Sequence, residues 1–582
     1  MRTPSLLVTA SALLSALAVV VSGCGGGKGE GDGAPGSGAV RHGGTLTMLA
    51  ASDVDYLDTG RSYSTQGVMV GLASQRPLYR YAPDDLAKPL PDMAAAAPVV
   101  SGDGRVVTVK LRRGVRFSPP VNREVTSRDV AYAFERLFSA NVAGPYPSYF
   151  RALEGAPTTP TKGVRPLSGI STPDAHTIVF RLQTQTAPTF VGALVLIATA
   201  PVPAEYAKPF DARTPSTYTD HVVATGPYMV RNDAQGRVVG YQPGKSIDLV
   251  RNPRWSRKTD SRPARLDRIR IRTNATDTTI SARQVIAGKD MVLDAPAPAP
   301  ILKLVSRAGG AAVSARINVG GYRFLPLNTR LRPFDDINVR KAVLAAFDRE
   351  AVRRARGGVT TGPLATHFLP PGIAGFEEAG GLKGPDVDFL RAPGGDPALA
   401  AAYLRKAGFA DGRYHGDEKF LLVAGNSDQD KNIAEVVQDQ LGRLGFQTRL
   451  KFVPGDALFT NWCSVPAKKV LTCAGSIAWL KDFSDPEPML RPVFDGSAIT
   501  PVNNTNYSQL DDPKINAAME AAATTTGPTR ARAWGAIDRM ILNDAPAIPV
   551  QWDVATLVRS KDVAGVPSKY FVSWDLSYTG LR

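Results

Sequence analysis

Phe420-Leu421-Leu422-Val423 is a short apolar run, and further on Thr448, Leu450 and Phe452 alternate as one face of a second strand. Between them Ile433, Val436, Val437, Leu441 and Leu444 recur at helical spacing. A strand, a helix and a strand in that order place the two strands side by side and parallel, because the helix carries the chain back to the starting end of the sheet. This βαβ unit commits the region to an α/β class, with helices covering a parallel sheet. Ligands in that class collect at strand ends, which directs attention to Ala478-Trp479-Leu480-Lys481-Asp482-Phe483-Ser484-Asp485-Pro486. This stretch follows the apolar run Val470 to Ile477 and reads as a strand leaving a buried sheet. A carboxylate beside a Trp and a Phe at such an exit is a candidate ligand site. Taken alone, the same residues also describe an acidic surface loop with a Pro turn.

At 582 residues the chain exceeds one ordinary core, and two or three domains are expected. The net charge of +16 raises an anionic partner. The Lys and Arg are scattered, however, with no basic helix and no RNA-binding aromatic motif, so no nucleic-acid partner is expected. A basic surface facing an anionic envelope accounts for the charge.

The N-terminus carries a positive Met1-Arg2, an apolar core from Leu6 to Val21, and then Val21-Ser22-Gly23-Cys24. A core of that length before small residues is a secretory signal and not a membrane-spanning helix. Small residues directly before Cys resemble a bacterial lipobox, which implies thioether lipidation of Cys24 and removal of residues 1–23. Two acyl chains on a diacylglyceryl group hold a protein at a membrane where one would not. Residues 24–40 are Gly-rich and read as a flexible tether. Gly31-Asp32-Gly33-Ala34-Pro35-Gly36 matches a dinucleotide fingerprint in form only, since no strand precedes it and no helix follows. Gly240 to Ser246 likewise falls short of a phosphate loop. The remaining cysteines, Cys463 and Cys473, are either a disulfide, whose spacing suits neighbouring strands, or two buried thiols.

Along the mature chain, Thr45 to Leu49, Val107 to Leu111, Thr177 to Leu182, Ile247 to Arg251 and Leu266 to Ile271 read as strands, so the first half is strand-heavy. Val68 to Leu78 is a helix or buried segment. Thr126 and Asp129 form a capping box, with Asp in place of Glu, for a helix that buries Val130, Phe134, Leu137 and Phe138. After about residue 305 helices and strands alternate. Asp336 opens one helix, Asp396-Pro397 opens another that ends before Gly408, and a helix pair covers about 513–523 and 528–542. Pro546 and Pro549 end that pair, and strands resume from Gln551.

Taken in order, Gly43-Gly44-Thr45-Leu46, Ser101-Gly102-Asp103-Gly104 through Arg116-Phe117, and Thr126 to Val130 resemble the family 5 extracellular solute-binding proteins, the peptide receptors of ABC importers. Thr225-Gly226-Pro227-Tyr228, Asp336 to Asp348 and Asn506-Tyr507-Ser508 extend the resemblance over nearly the whole mature chain. The resemblance implies an α/β fold of the periplasmic-binding-protein type II: two lobes closing as a clamshell, with an extra strand-rich domain on the first. Lobe I would take residues 41–78, 215–300 and 551–582, the extra domain 79–214, and lobe II 305–550. It further implies a lipid-anchored monomer on the extracytoplasmic face of a bacterial membrane, handing a peptide to ABC permease subunits. In the cleft, Trp479 would form a wall, Asp482 would pair with the ligand's α-ammonium, and Ala478 and Leu480 would offer backbone groups. Asp485 would shape the turn. Lys481 departs from the family pattern, and is expected either to point to solvent or to partner Asp482. Other members bind metal complexes, opines or sugars, which are the alternative ligands.

An extracytoplasmic hydrolase is the competing class, but there is no Gly-x-Ser-x-Gly and no His-Glu-x-x-His. The five histidines (His42, His176, His221, His367, His415) are dispersed and none has a zinc-ligand spacing. No catalytic residue, metal or cofactor is expected.

Overall fold

The computed structural model describes residues 39–582 apart from 455, 456, 476 and 502; the signal segment, Cys24 and most of the tether lie outside the described residues. Thr45–Ala50 is the strand on which the first lobe is built. It runs parallel to Arg268–Arg272 on one side and Met291–Asp294 on the other. Ser246–Arg251 and then Tyr228–Val230 extend the sheet antiparallel. Alternation along Thr45–Ala50 sends Leu46, Met48 and Ala50 to one face, into a core with Ile269 and Ile271. Leu49 turns the other way, toward Val285, Ile301 and Val305 of two covering helices. Covering both faces is what a parallel strand pair demands. Gly240 to Ser246 lies in a hairpin, where residues 243–245 turn the chain from Tyr241–Gln242 into Ser246–Arg251, so no phosphate loop forms there.

Beside this lobe stands a four-stranded antiparallel sheet containing Val106–Lys110 and Thr177–Arg181. Its helix, Ser127–Leu137, begins at the expected box: the Thr126 N–H donates to the Asp129 carboxylate at 2.8 Å. Val130, Phe134, Leu137 and Phe138 are all buried, and Phe134 packs on Phe150, Phe180 and Phe190.

The second lobe holds the βαβ unit. Lys419–Gly425 lies between Gln447–Val453 and Val470–Cys473, all parallel, with helix Asp428–Arg443 packed on the sheet. Asp336 and Asp396 cap their helices as the sequence requires, and Gly408 takes φ +95° just beyond the second. The helix pair spans Pro513–Ala523 and Gly527–Asp544.

Two long strands, Ser314–Pro326 and Ala547–Val558, pair antiparallel and pass from one lobe to the other. Ile317, Val319, Ala555 and Leu557 belong to the first lobe's core, whereas Tyr322, Phe324, Ile548 and Trp552 belong to the second's. Between them the register shifts from Asn318 to Tyr322, where Gly320 sits at φ +66°. A bulge at the crossing is where two rigid bodies can bend. The strand begins at Ala547, before Pro549, which is accommodated at a second irregularity opposite Phe324 and does not delay the strand to Gln551. Cys463 and Cys473 are joined by a disulfide that ties a turn, Leu458–Cys463, to strand Val470–Cys473; it does not link two strands.

Candidate functional site

Ala478–Leu480 pairs antiparallel with Gly321–Arg323 and forms the edge of the sheet that crosses the lobes. Pleating sends Trp479 into the second lobe's core beside Tyr322 and Trp552. It is 9% exposed, and its Nε1–H donates to the Pro488 carbonyl at 2.7 Å. Trp479 is therefore a core anchor that fixes the strand, not an open cleft wall. Ala478 and Leu480 point the opposite way and are half-buried, Leu480 leaning on the first lobe's core.

Lys481 shares the buried side with Trp479. Its Nζ donates to the Val319 carbonyl at 2.8 Å, inside the interlobe crossing. A Cβ on Gly320 would stand 2.6 Å from that Nζ, so the bulge glycine makes room for the amine. Lys481 thus neither reaches solvent nor pairs with Asp482, contrary to both expectations. Burial pulls its amine down to about 7.

From Asp482 onward the chain leaves the second lobe's sheet and is gripped by the other side. The Asp482 carboxylate accepts a hydrogen bond from the Tyr149 hydroxyl, and the Tyr63 phenol stands near enough to act on its charge. Its backbone carbonyl accepts one from Tyr570 at 2.6 Å. Burial pushes the carboxyl up to about 6, and the two phenols pull against that shift. Phe483 is fully buried in the core of the strand-rich domain, edge-on to Tyr149 at 5.2 Å. Its socket depends on Gly192, where a Cβ would come within 2.8 Å of the ring. The Ser484 N–H donates to Tyr81 Oη at 2.9 Å.

Asp485 does shape the turn, accepting from the Glu487 N–H at 2.9 Å, but it also pairs with Arg530 at 2.8 Å. Glu487 pairs with the same guanidinium at 2.7 Å and accepts from the Thr189 hydroxyl. Residues 482–487 are thus a strap from one lobe docked on the other.

Tyr63, Tyr149 and Tyr570 escaped the sequence reading because nothing local marks them. Tyr149 lies 333 positions from Asp482 along the chain. Among the described residues no group of three His, Cys, Asp or Glu is placed to hold a metal ion. His367 is buried with its Nδ1 hydrogen-bonded to the Asp538 carboxylate at 2.8 Å, inside the second lobe.

Residues 88–501 match the family described as bacterial extracellular solute-binding proteins, family 5 (middle). The chain is 26% identical to heme-binding protein A of Haemophilus influenzae, across 80% of this chain and 79% of that one. It is 24% identical to a dipeptide-binding protein of Pseudomonas aeruginosa, across 80% and 82%. Among solved structures, clavulanic acid biosynthesis oligopeptide binding protein 2 superposes with a TM-score of 0.79 at 28% identity, covering 93% of this chain and 96% of that one. The DppA periplasmic binding protein of Helicobacter pylori, in complex with peptide STSA, superposes at 0.74 with 18% identity, covering 93% and 98%. The fold is the two-lobed type II clamshell.

Proposed function

The chain belongs to the family 5 bacterial extracellular solute-binding proteins, and from that premise we propose that it captures peptides between its lobes and delivers them to an ABC permease. It is a binding protein of a transport system and not an enzyme. The observation that carries the peptide reading is the edge strand Ala478–Leu480, which runs directly into the Asp482 carboxylate. An edge strand offers unpaired N–H and C=O groups, and an extended peptide can add to it as a further strand without its side chains being read. Asp482 then stands at the end of that added strand and takes its α-ammonium. To do so it exchanges the phenol hydrogen bond of Tyr149 for a charged partner, the stronger bond.

Several relatives being named for dipeptides or oligopeptides supports the same reading. Against a sugar or metal complex, the carboxylate favours a cationic ligand group, and the edge favours a backbone. Closure follows from differential affinity, since a ligand touching Asp482 and its tyrosines together contacts the closed state more than the open one. In the cell the receptor is a monomer, anchored by lipidated Cys24 on the extracytoplasmic face, with residues 24–40 as its tether.

The test is thermal stabilisation of the folded chain by a panel of di- to pentapeptides, sugars and nickel complexes. A ligand at a hundred times its Kd stabilises by about 2.7 kcal/mol. The expected result is a shift with peptides alone; a shift with sugar or nickel complex and none with peptide contradicts the proposal.

A further inference from the structure

Four guanidinium groups converge on a single aspartate where residues 76–94, Arg112 and residues 257–262 meet. Asp92 is 1% exposed, and its Oδ1 accepts from Arg76 Nε at 2.7 Å. Its backbone carbonyl accepts from Arg76 Nη2 at 2.8 Å and from Arg112 Nε at 3.1 Å. Its Oδ2 is buried and makes no hydrogen bond among the described residues, lying 3.8 Å from Arg80 Nε and 3.6 Å from Arg262 Nη2. Asp260 is taken by Arg262 at 2.7 Å and stands 3.9 Å from Arg76. A third acid, Asp575, faces Arg262 and Arg80, and burial pushes its carboxyl up to about 6.

Onto this cluster opens a cavity of about 220 Å³ lined by Arg76, Arg80 and Arg112, with Arg257 and Lys258 exposed at its mouth. Counting the lining and the network behind it, six cations face three carboxylates among the described residues. Like charges held together and partly desolvated repel strongly, so a surplus of this kind is relieved by a bound counter-ion. The cavity is smaller than the roughly 300–1,000 Å³ typical of drug-sized ligands, and its lining is polar. Guanidinium forks match the oxygen spacing of a tetrahedral oxyanion, and Lys258 adds a point charge.

We propose that this cavity binds a small tetrahedral oxyanion of the phosphate or sulfate class, held by Arg80, Arg112, Arg257 and Lys258. The same chemistry is presented by a free inorganic ion and by the phosphate of an anionic lipid headgroup. The site is separate from the peptide proposal and does not rest on it.

The experiment is calorimetry of the mature Cys24→Ser chain with inorganic phosphate and with sulfate, alongside flotation with phosphatidylglycerol and with phosphatidylcholine vesicles. Arg112→Ala/Lys258→Ala is compared with Arg257→Gln/Lys258→Gln, whose two positions are exposed and leave the buried network intact. Saturable phosphate binding, weakened at least tenfold in both variants, is the expected result. Flotation with phosphatidylglycerol alone, lost in both variants, also supports the site and identifies a headgroup as its source. Absence of both phosphate binding and vesicle binding overturns the proposal, as does binding that the exposed-pair variant leaves unchanged. Unaltered peptide affinity in the same variants keeps this result distinct from the fate of the cleft.

Discussion

Peptide affinity should fall as pH drops from 7 to 5, and the size of the fall follows from Asp482. Its carboxyl is pushed up to about 6 by burial. A peptide α-ammonium holds its proton to about pH 8, so it pairs with the ionised carboxylate and competes with a proton for it. At pH 7 about one carboxyl in ten is protonated, and at pH 5 about one in ten is ionised, so affinity falls about tenfold, or about 1.4 kcal/mol. Lys481, whose amine is pulled down to about 7, gains charge over the same range and repels the ammonium in the same direction. Asp482→Asn isolates the carboxylate's part. At pH 7 it should lose roughly 2–5 kcal/mol, the cost of leaving a buried ammonium without its partner, and it should lose most of the pH slope. Calorimetry at pH 5, 6 and 7 with a tetrapeptide and its N-acetylated form reads both effects. A flat profile in the native protein, or an unchanged slope and affinity in the Asn variant, refutes the assignment.

Lys481→Met tests the buried amine through stability. A lysine whose pKa is depressed on folding opposes folding most where the unfolded chain keeps it charged, below about pH 7, and the penalty fades as pH rises toward the ordinary lysine value. Allowing about 2 kcal/mol for the Val319 carbonyl left unpaired, the variant should be about 3 kcal/mol more stable at pH 6 and about 1 kcal/mol less stable at pH 10; urea melts showing the same sign at both would contradict this. Gly192→Ala places a methyl 2.8 Å from the Phe483 ring and should expel the strap, which solution scattering would see as an opened apo form; unchanged scattering would show that Phe483 does not hold the lobes together. Reducing Cys463–Cys473, ten residues apart, should cost about 3 kcal/mol by loop entropy, checked as a lowered Tm with reductant and no further loss in Cys463→Ser. Cys24→Ser should move the protein from the membrane fraction to the soluble one, and retention would end the lipid-anchor proposal.

What the sequence disclosed was local. The capping pair Thr126 and Asp129, the Asp396-Pro397 start and the βαβ run at 420–452 each involve neighbours in the chain, and each forms as read. Strand Ser314–Pro326 was not legible because its buried residues change parity. Ile317 and Val319 are inward at odd positions, and Tyr322 and Phe324 at even ones, the switch falling at Gly320-Gly321. A period-two pattern read straight through a bulge cancels itself.

At the site, Asp482 stood out as a carboxylate at a strand exit, but its environment did not. The parity of Trp479 and Lys481 was a usable signal, since residues two apart on a strand share a face, and both are buried. The tyrosines that hold Asp482 belong to other segments, and only tertiary structure brings them there. Phe483 gives no sign in sequence that its socket lies in a different domain.

Native mass spectrometry of the mature protein, released from its own membrane and kept folded, addresses the central claim most directly. The proposal predicts bound species whose masses and fragments are those of short peptides, lost in Asp482→Asn. A co-purified sugar or metal complex, with no peptide bound or accepted in exchange, would contradict it.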